Sequence, residues 1–201
     1  MQTERGAVLI PIARAAIAAA LGQAPPSASV ARPAIASEDM PWLQQPGATF
    51  VTLNRHGQLR GCIGSLEARR TVLADVQANA VAAALRDPRF APLSAAELPG
   101  TEIEVSLLSP MQPLACDHES HALAQLRPGV DGVVLEFGPH RSTFLPQVWE
   151  QLPDAGDFMA QLKRKAGLPA DFWADGIRLQ RYRVDKWKES DIPRAAGTET
   201  P

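Results

Sequence analysis

The chain has 201 residues, with 20 Lys and Arg against 22 Asp and Glu, a formal charge of −2, and 45% hydrophobic residues. That length and apolar content fit one globular domain with a real core. The near balance of charge removes the electrostatic case for nucleic acid or an anionic membrane surface, and no apolar run is long enough to cross a bilayer.

Residues 1–6 are polar and read as frayed. Val8–Leu21 reads as an Ala-rich helix stopped at Gly22, with Pro11 confined to its first turn or marking its start. A secretory leader is disfavoured there, because Arg14 interrupts the apolar run and Glu4 offsets Arg5. Residues 23–39, with Pro25, Pro26 and Pro33, read as a linker of low order. Ala48–Asn54 and Leu59–Leu66 alternate as two strands around Arg55-His56-Gly57-Gln58, with Gly57 suited to a positive φ. Thr71–Arg86 follows as a helix that Pro88 ends. Asp87-Pro88-Arg89-Phe90 is then a salt-bridged loop, and Ser94–Glu97 a capping box.

Glu102–Leu108 reads as a half-buried strand, with Ile103, Val105 and Leu107 inward and Glu104 and Ser106 outward. Glu119–Leu126 is a short helix. Gly132–Phe137 and Arg141–Leu145 form a second hairpin around Gly138-Pro139-His140. Helices follow at Gln147–Leu152, opened by Pro146, and at Asp157–Gly167, with a further helical turn at Pro169–Asp175. Ile177–Lys188 reads as one long alternating strand, and residues 190–201 as a mobile tail. The rhythm of strand, strand, helix, strand occurs twice. The expectation is a single α+β domain of antiparallel sheets with packed helices, a duplicated hairpin-helix-strand arrangement and an extra N-terminal helix.

Chemistry concentrates in Arg60-Gly61-Cys62-Ile63-Gly64. Alternation along an unbroken strand puts Arg60, Cys62 and Gly64 on one face, with guanidinium and thiol roughly 7 Å apart, an arrangement that favours the thiolate. Glu104 and Ser106, on the polar face of their own strand, can line the same cleft. Cys62, Arg60, Glu104 and Ser106 are therefore the candidate catalytic residues. Gly61, Gly64, Thr52, Asn54, His140 and Arg141 are the candidate binding residues. Arg60 equally fits an ion pair with Glu104, and the glycines equally fit a bulge or a packed helix. His118 and His121 lack a third ligand at a metal-site spacing, so no metal is expected. The two cysteines, Cys62 and Cys116, without a secretory context, point to reduced thiols in the cytoplasm.

The chain resembles the AMMECR1 family, including the bacterial proteins called component A of the AmmeMemoRadiSam system. The resemblance is carried by Leu59–Gly64 (LRGCIG) after Phe50-Val51-Thr52-Leu53, then by Asp87-Pro88-Arg89-Phe90, Ile103-Glu104-Val105-Ser106 and Asp131-Gly132-Val133. Phe144–Trp149, Lys165–Pro169 and Tyr182-Arg183 complete it, so that residues 7–189 are spanned in order. It implies a cytosolic α+β protein that associates with a Memo-like protein and a radical SAM enzyme. It implies no established reaction, and neither it nor the residues name a cofactor. Two readings stand at this point: an enzyme with a reactive Cys62 acting on a small anionic molecule, or a non-catalytic adaptor that docks a partner through the LRGCIG surface.

Overall fold

The computed structural model describes residues 2–23 and 40–192. The expected linker, apart from Gln23, and the expected tail beyond Ile192 lie outside the described residues. The elements run α1 (Gln2–Ala20), β1 (Pro46–Gly47), β2 (Thr49–Arg55), β3 (Gln58–Gly64), β4 (Arg70–Thr71), α2 (Val72–Leu85) and β5 (Thr101–Leu108). Then come β6 (Gln112–Pro113), α3 (Glu119–Gln125), β7 (Gly132–Phe137), β8 (His140–Phe144), α4 (Ala155–Lys165), β9 (Arg178–Tyr182) and β10 (Val184–Lys188). This is an α+β fold. It divides into two compact units, one built from the chain up to Leu108 together with the chain from Asp185 on, the other from Ser109–Val184.

In the first unit the sheet order is β10-β5-β2-β3. Val51, Leu53, Ile103 and Val105 point from one face into a core completed by Leu9, Ala13 and Ile17 of α1 and by Val76, Ala80 and Ala83 of α2. A buried polar network anchors α2 to the sheet. The Asp75 carboxylate, in the first helical turn, accepts from the Thr49 N–H and hydroxyl and from Ser65 and Asn79. Satisfying a buried carboxylate this fully offsets its desolvation and fixes the register of helix on strand.

In the second unit the order is β6-β9-β7-β8. Its core gathers Leu135, Trp149, Phe158, Met159, Leu162 and Leu179. Trp149 and Phe158 stack with ring centroids 3.8 Å apart. The duplication is visible in topology: β5-β2-β3 and β9-β7-β8 each place the returning strand beside the first strand of the preceding hairpin.

Five expectations need correction. Residues 2–6 are helical rather than frayed. Gly6 lies under Trp187, so closely that a Cβ would meet its ring at 2.4 Å, and Arg5 stacks 5.0 Å over Trp42. Pro11 lies deep inside α1. The helix tolerates it because Pro11 and Ala7, whose carbonyl loses its i+4 donor, both lie on the exposed side of the helix, where solvent can replace the lost donor. Ile177–Lys188 is two strands in two different sheets, broken at Arg183. β5 is buried on both faces, with Glu104 and Ser106 each 8% exposed, rather than half-buried. Finally, residues 147–152 form a 3-10 turn (Pro146–Glu150), and 169–175 add no helix.

Pro11→Ala is expected to stabilise the protein. Pro is ~3 kcal/mol less favourable than Ala in a helix interior, and exposure of this turn to solvent offsets part of that. A gain of about 1 kcal/mol in chemical denaturation is the expected reading. A loss of stability would mean that the proline itself is needed for α1 to pack.

Candidate functional site

The β2–β3 hairpin turns on His56 and Gly57, whose φ values of 52° and 74° are the two positive angles of a tight two-residue turn. Pairing then runs Asn54↔Leu59 but Leu53↔Gly61, so Arg60 is an extra residue opposite no partner, a β-bulge. Beyond it the ladder is regular: Thr52 faces Cys62 and Glu104, and Phe50 faces Gly64 and Ser106. Directly paired residues share a face. Cys62, Thr52 and Glu104 thus form a row across β3, β2 and β5, extended to β10 by Lys186, whose ammonium lies 3.3 Å from the Glu104 carboxylate. The row reads thiol, hydroxyl, carboxylate, ammonium. Ser106 and Asn54 belong to the same sheet face by alternation.

The Thr52 hydroxyl donates to the Cys62 sulfur at 3.3 Å. The backbone of Cys62 is held from the open edge of β3. Its N–H donates to the Asp87 carboxylate at 2.8 Å, and its carbonyl accepts from the Arg89 guanidinium at 3.2 Å. Arg89 also grips Asp87 through Nε and Nη2 at 2.9 and 2.7 Å. The Asp87-Pro88-Arg89-Phe90 loop is therefore the brace of the Cys62 strand, covering an edge that would otherwise expose unpaired backbone groups. The two bonds from the Arg89 side chain and the Cys62 and Arg89 N–H donors hold the Asp87 carboxyl well below the usual carboxylate range, against the opposing effect of burial. The Arg89 pKa is raised, first by its hydrogen bond to Asp87 and then by the charge of that carboxylate, against the opposing effect of desolvation.

Arg60 does not accompany the thiol as the unbroken alternation had it. The bulge diverts its side chain to Glu97, at 3.2 Å from Nε, and to the carbonyls of Ala91 and Pro92. Its carboxylate partner is Glu97, not Glu104. Glu97 is tied back to Ser94 as the capping box predicts, and the Ser94 N–H and Arg60 lower its pKa to about 2. The cation beside Cys62 is Arg89.

Gly61 belongs to the core face rather than to the face of Cys62. A Cβ there would stand 2.2 Å from the Ala83 carbonyl oxygen, so the glycine exists to let the backbone of α2 approach the strand. At Gly64 the Phe50 ring occupies the Cβ position, 2.2 Å away, which makes it a packing glycine as well. His140 and Arg141 lie in the second unit with local partners. The His140 ring bonds the Ala166 carbonyl at the end of α4, and Arg141 pairs with Glu136 across the hairpin at 2.9 Å. His118 caps α3, its Nδ1 accepting from the His121 N–H. Among the described residues no group of three or more His, Cys, Asp or Glu is placed to hold a metal, and no helix is long and apolar enough to cross a membrane.

Two members of the site escaped the sequence reading. Spacing ties Arg89 only to its own loop, and its reach to Cys62 depends on a fold-back that spacing does not encode. Lys186 lies in a run that alternates like one strand, so nothing in the sequence marks it as a neighbour of Glu104.

The AMMECR1 family model matches residues 10–187. Protein MJ0810 of Methanocaldococcus jannaschii is 35% identical over 70% of this chain and 72% of its own length. A protein of Methanothermobacter thermautotrophicus is 37% identical over 76% of this chain and 81% of its own. The crystal structure of uncharacterised protein PH0010 from Pyrococcus horikoshii superposes with a TM-score of 0.72 at 28% identity, covering 92% of both chains.

Proposed function

The chain belongs to the AMMECR1 family, and from that footing we propose that it is a thiol-dependent enzyme whose nucleophile is Cys62. The sulfur adds across a polarised double bond of a small polar substrate. A C–S bond forms, and the thiol proton ends on the electronegative atom of the attacked bond, so the step needs no leaving group and no oxidant. Thr52 orients the sulfur, and Arg89 supplies positive charge beside it. The exposed Lys186 ammonium, held by Glu104, binds the polar part of the substrate.

The observation that carries this reading is a half-exposed thiol that accepts a hydrogen bond from Thr52 while Asp87 and Arg89 pin its backbone on both sides. A sulfur held this way keeps one orientation, as a reacting atom requires. A cysteine present only for its size needs none of these partners. Association with a Memo-like protein and a radical SAM enzyme is proposed alongside it, and co-purification of either with the intact chain supports that part.

The test compares iodoacetamide alkylation of Cys62 in the folded wild type, Thr52→Val and Arg89→Gln. Each substitution is expected to slow labelling by about threefold to tenfold while the protein stays folded by circular dichroism. Unchanged Cys62 rates in both folded variants would remove the case for a nucleophilic thiol.

A further inference from the structure

Two of the short runs that carry the family resemblance, Asp131-Gly132-Val133 and Tyr182-Arg183, have no part in the Cys62 row. They meet at one end of the sheet of the second unit, where a cavity of about 270 Å³ is lined by Ser109, Gln112, Arg127, Arg181, Tyr182 and Arg183, with Asp131 at its base. The topology explains the convergence. Gln112 pairs with Arg181, and Gly132 pairs with Tyr182, so the ends of β6, β9 and β7 lie side by side. Ser109 and Arg183 close the end by exchanging bonds: the Ser109 N–H donates to the Arg183 carbonyl, and the Arg183 N–H to the Ser109 hydroxyl.

Three guanidinium groups share this cavity with one carboxylate. Asp131 is fully buried and is engaged by Arg127, with bonds of 3.0 Å from the N–H, 3.0 Å from Nε and 2.5 Å from Nη2. That pair is neutral overall, which leaves the charges of Arg181 and Arg183. Arg181 spends one Nη1 donor on the Gln125 carbonyl at 3.2 Å, and its buried Nε has no acceptor. The exposed Arg183 side chain makes no hydrogen bond or ion pair among the described residues. A buried guanidinium donor without an acceptor costs free energy that a bound oxyanion returns, and forked donors suit tetrahedral and planar oxyanions. Tyr182 is the floor and not a proton donor. Its hydroxyl bonds Thr143 and the Phe144 carbonyl, and burial pushes its pKa up to about 12.

We infer that this cavity binds a phosphate-class oxyanion through Arg181 and Arg183, with Arg127 as support. The site is independent of the chemistry proposed for Cys62, since it uses none of the same residues. Its volume exceeds that of a lone phosphate and suits the phosphoryl end of a small metabolite.

Titrating inorganic phosphate and then pyrophosphate into the intact chain at constant ionic strength, while following backbone amide shifts, tests it. The expected result is saturable shifts centred on Ser109, Tyr182 and Arg183. Arg183→Gln and Arg181→Gln are each expected to weaken binding about tenfold. Tighter binding of pyrophosphate marks a phosphorylated metabolite as the occupant, and equal binding marks the free ion; both support the site. Shifts that never saturate, or affinities that both folded variants leave unchanged, would overturn it.

Discussion

Gly61→Val is expected to cost about 3 kcal/mol or more of unfolding free energy, at the upper end of what overpacking does. The new side chain has no route out. Its Cβ alone would lie 2.2 Å from the Ala83 carbonyl oxygen and 3.1 Å from its carbon, both backbone atoms of α2. A side chain in its place could rotate; a helix backbone has to move bodily. Such a shift would strain the Asp75 network at the start of α2 and the Asp87 brace that follows its end. Gly64→Ala is the matched control, because its obstacle is the Phe50 ring, which can swing at a cost of about 1 kcal/mol. Denaturant midpoints at constant slope measure both. A Gly61→Val protein within about 1 kcal/mol of wild type would show that α2 does not press on the strand.

Asp87→Asn is expected to cost about 2–3 kcal/mol and to flatten the acid limb of the stability curve. The carboxylate accepts four hydrogen bonds, two from the Arg89 side chain and one each from the backbone N–H groups of Cys62 and Arg89. An amide can accept from only some of these donors and carries no charge toward the guanidinium. The sign follows from the direction of the shift. The folded pKa lies below the unfolded value near 3.8, so the contribution is fully present above that pH and is lost as pH falls toward the folded pKa. Glu97, lowered from 4.5 to about 2, adds a loss of the same sign between those two values. Wild-type stability should therefore fall more steeply below pH ~4 than that of Asp87→Asn, and the two curves should converge at low pH. Parallel curves from neutral to acid pH would mean that the Asp87–Arg89 pair is not formed in the folded state.

The hairpins, the helices at 72–85 and 155–165, and the duplicated order of elements are legible because each rests on local signals: alternation, apolar helical periodicity, Pro88 after the first of these helices, and turn glycines at Gly57 and Gly138. The break at Arg183 was not. Alternating apolar residues run across it, and only long-range pairing tells that the two halves enter different sheets. The same limit applies to the site. Strict alternation placed Arg60 beside Cys62, and one bulged residue was enough to send it to Glu97. The motif glycines suit a bulge or close packing as well as a ligand, and the approach of α2 at Gly61 and of the Phe50 ring at Gly64 accounts for both by packing. Glu104 was legible as facing the thiol row, since antiparallel register carries that information once β2 and β5 are neighbours. Its partner Lys186, on a strand contributed from the far end of the chain, was not.

The proposed function requires Cys62 to be the chemically available thiol of this protein. Cys116 is an internal reference: it is also only partly exposed, and burial first, then the charge of Asp117, push its thiol pKa up. The most direct measurement is site-resolved mass spectrometry of the native chain during brief alkylation at neutral pH. Cys62 is expected to be modified well before Cys116, and before any unfolding is detectable. Modification of Cys116 first, or of Cys62 only once denaturant has unfolded the chain, would contradict the account.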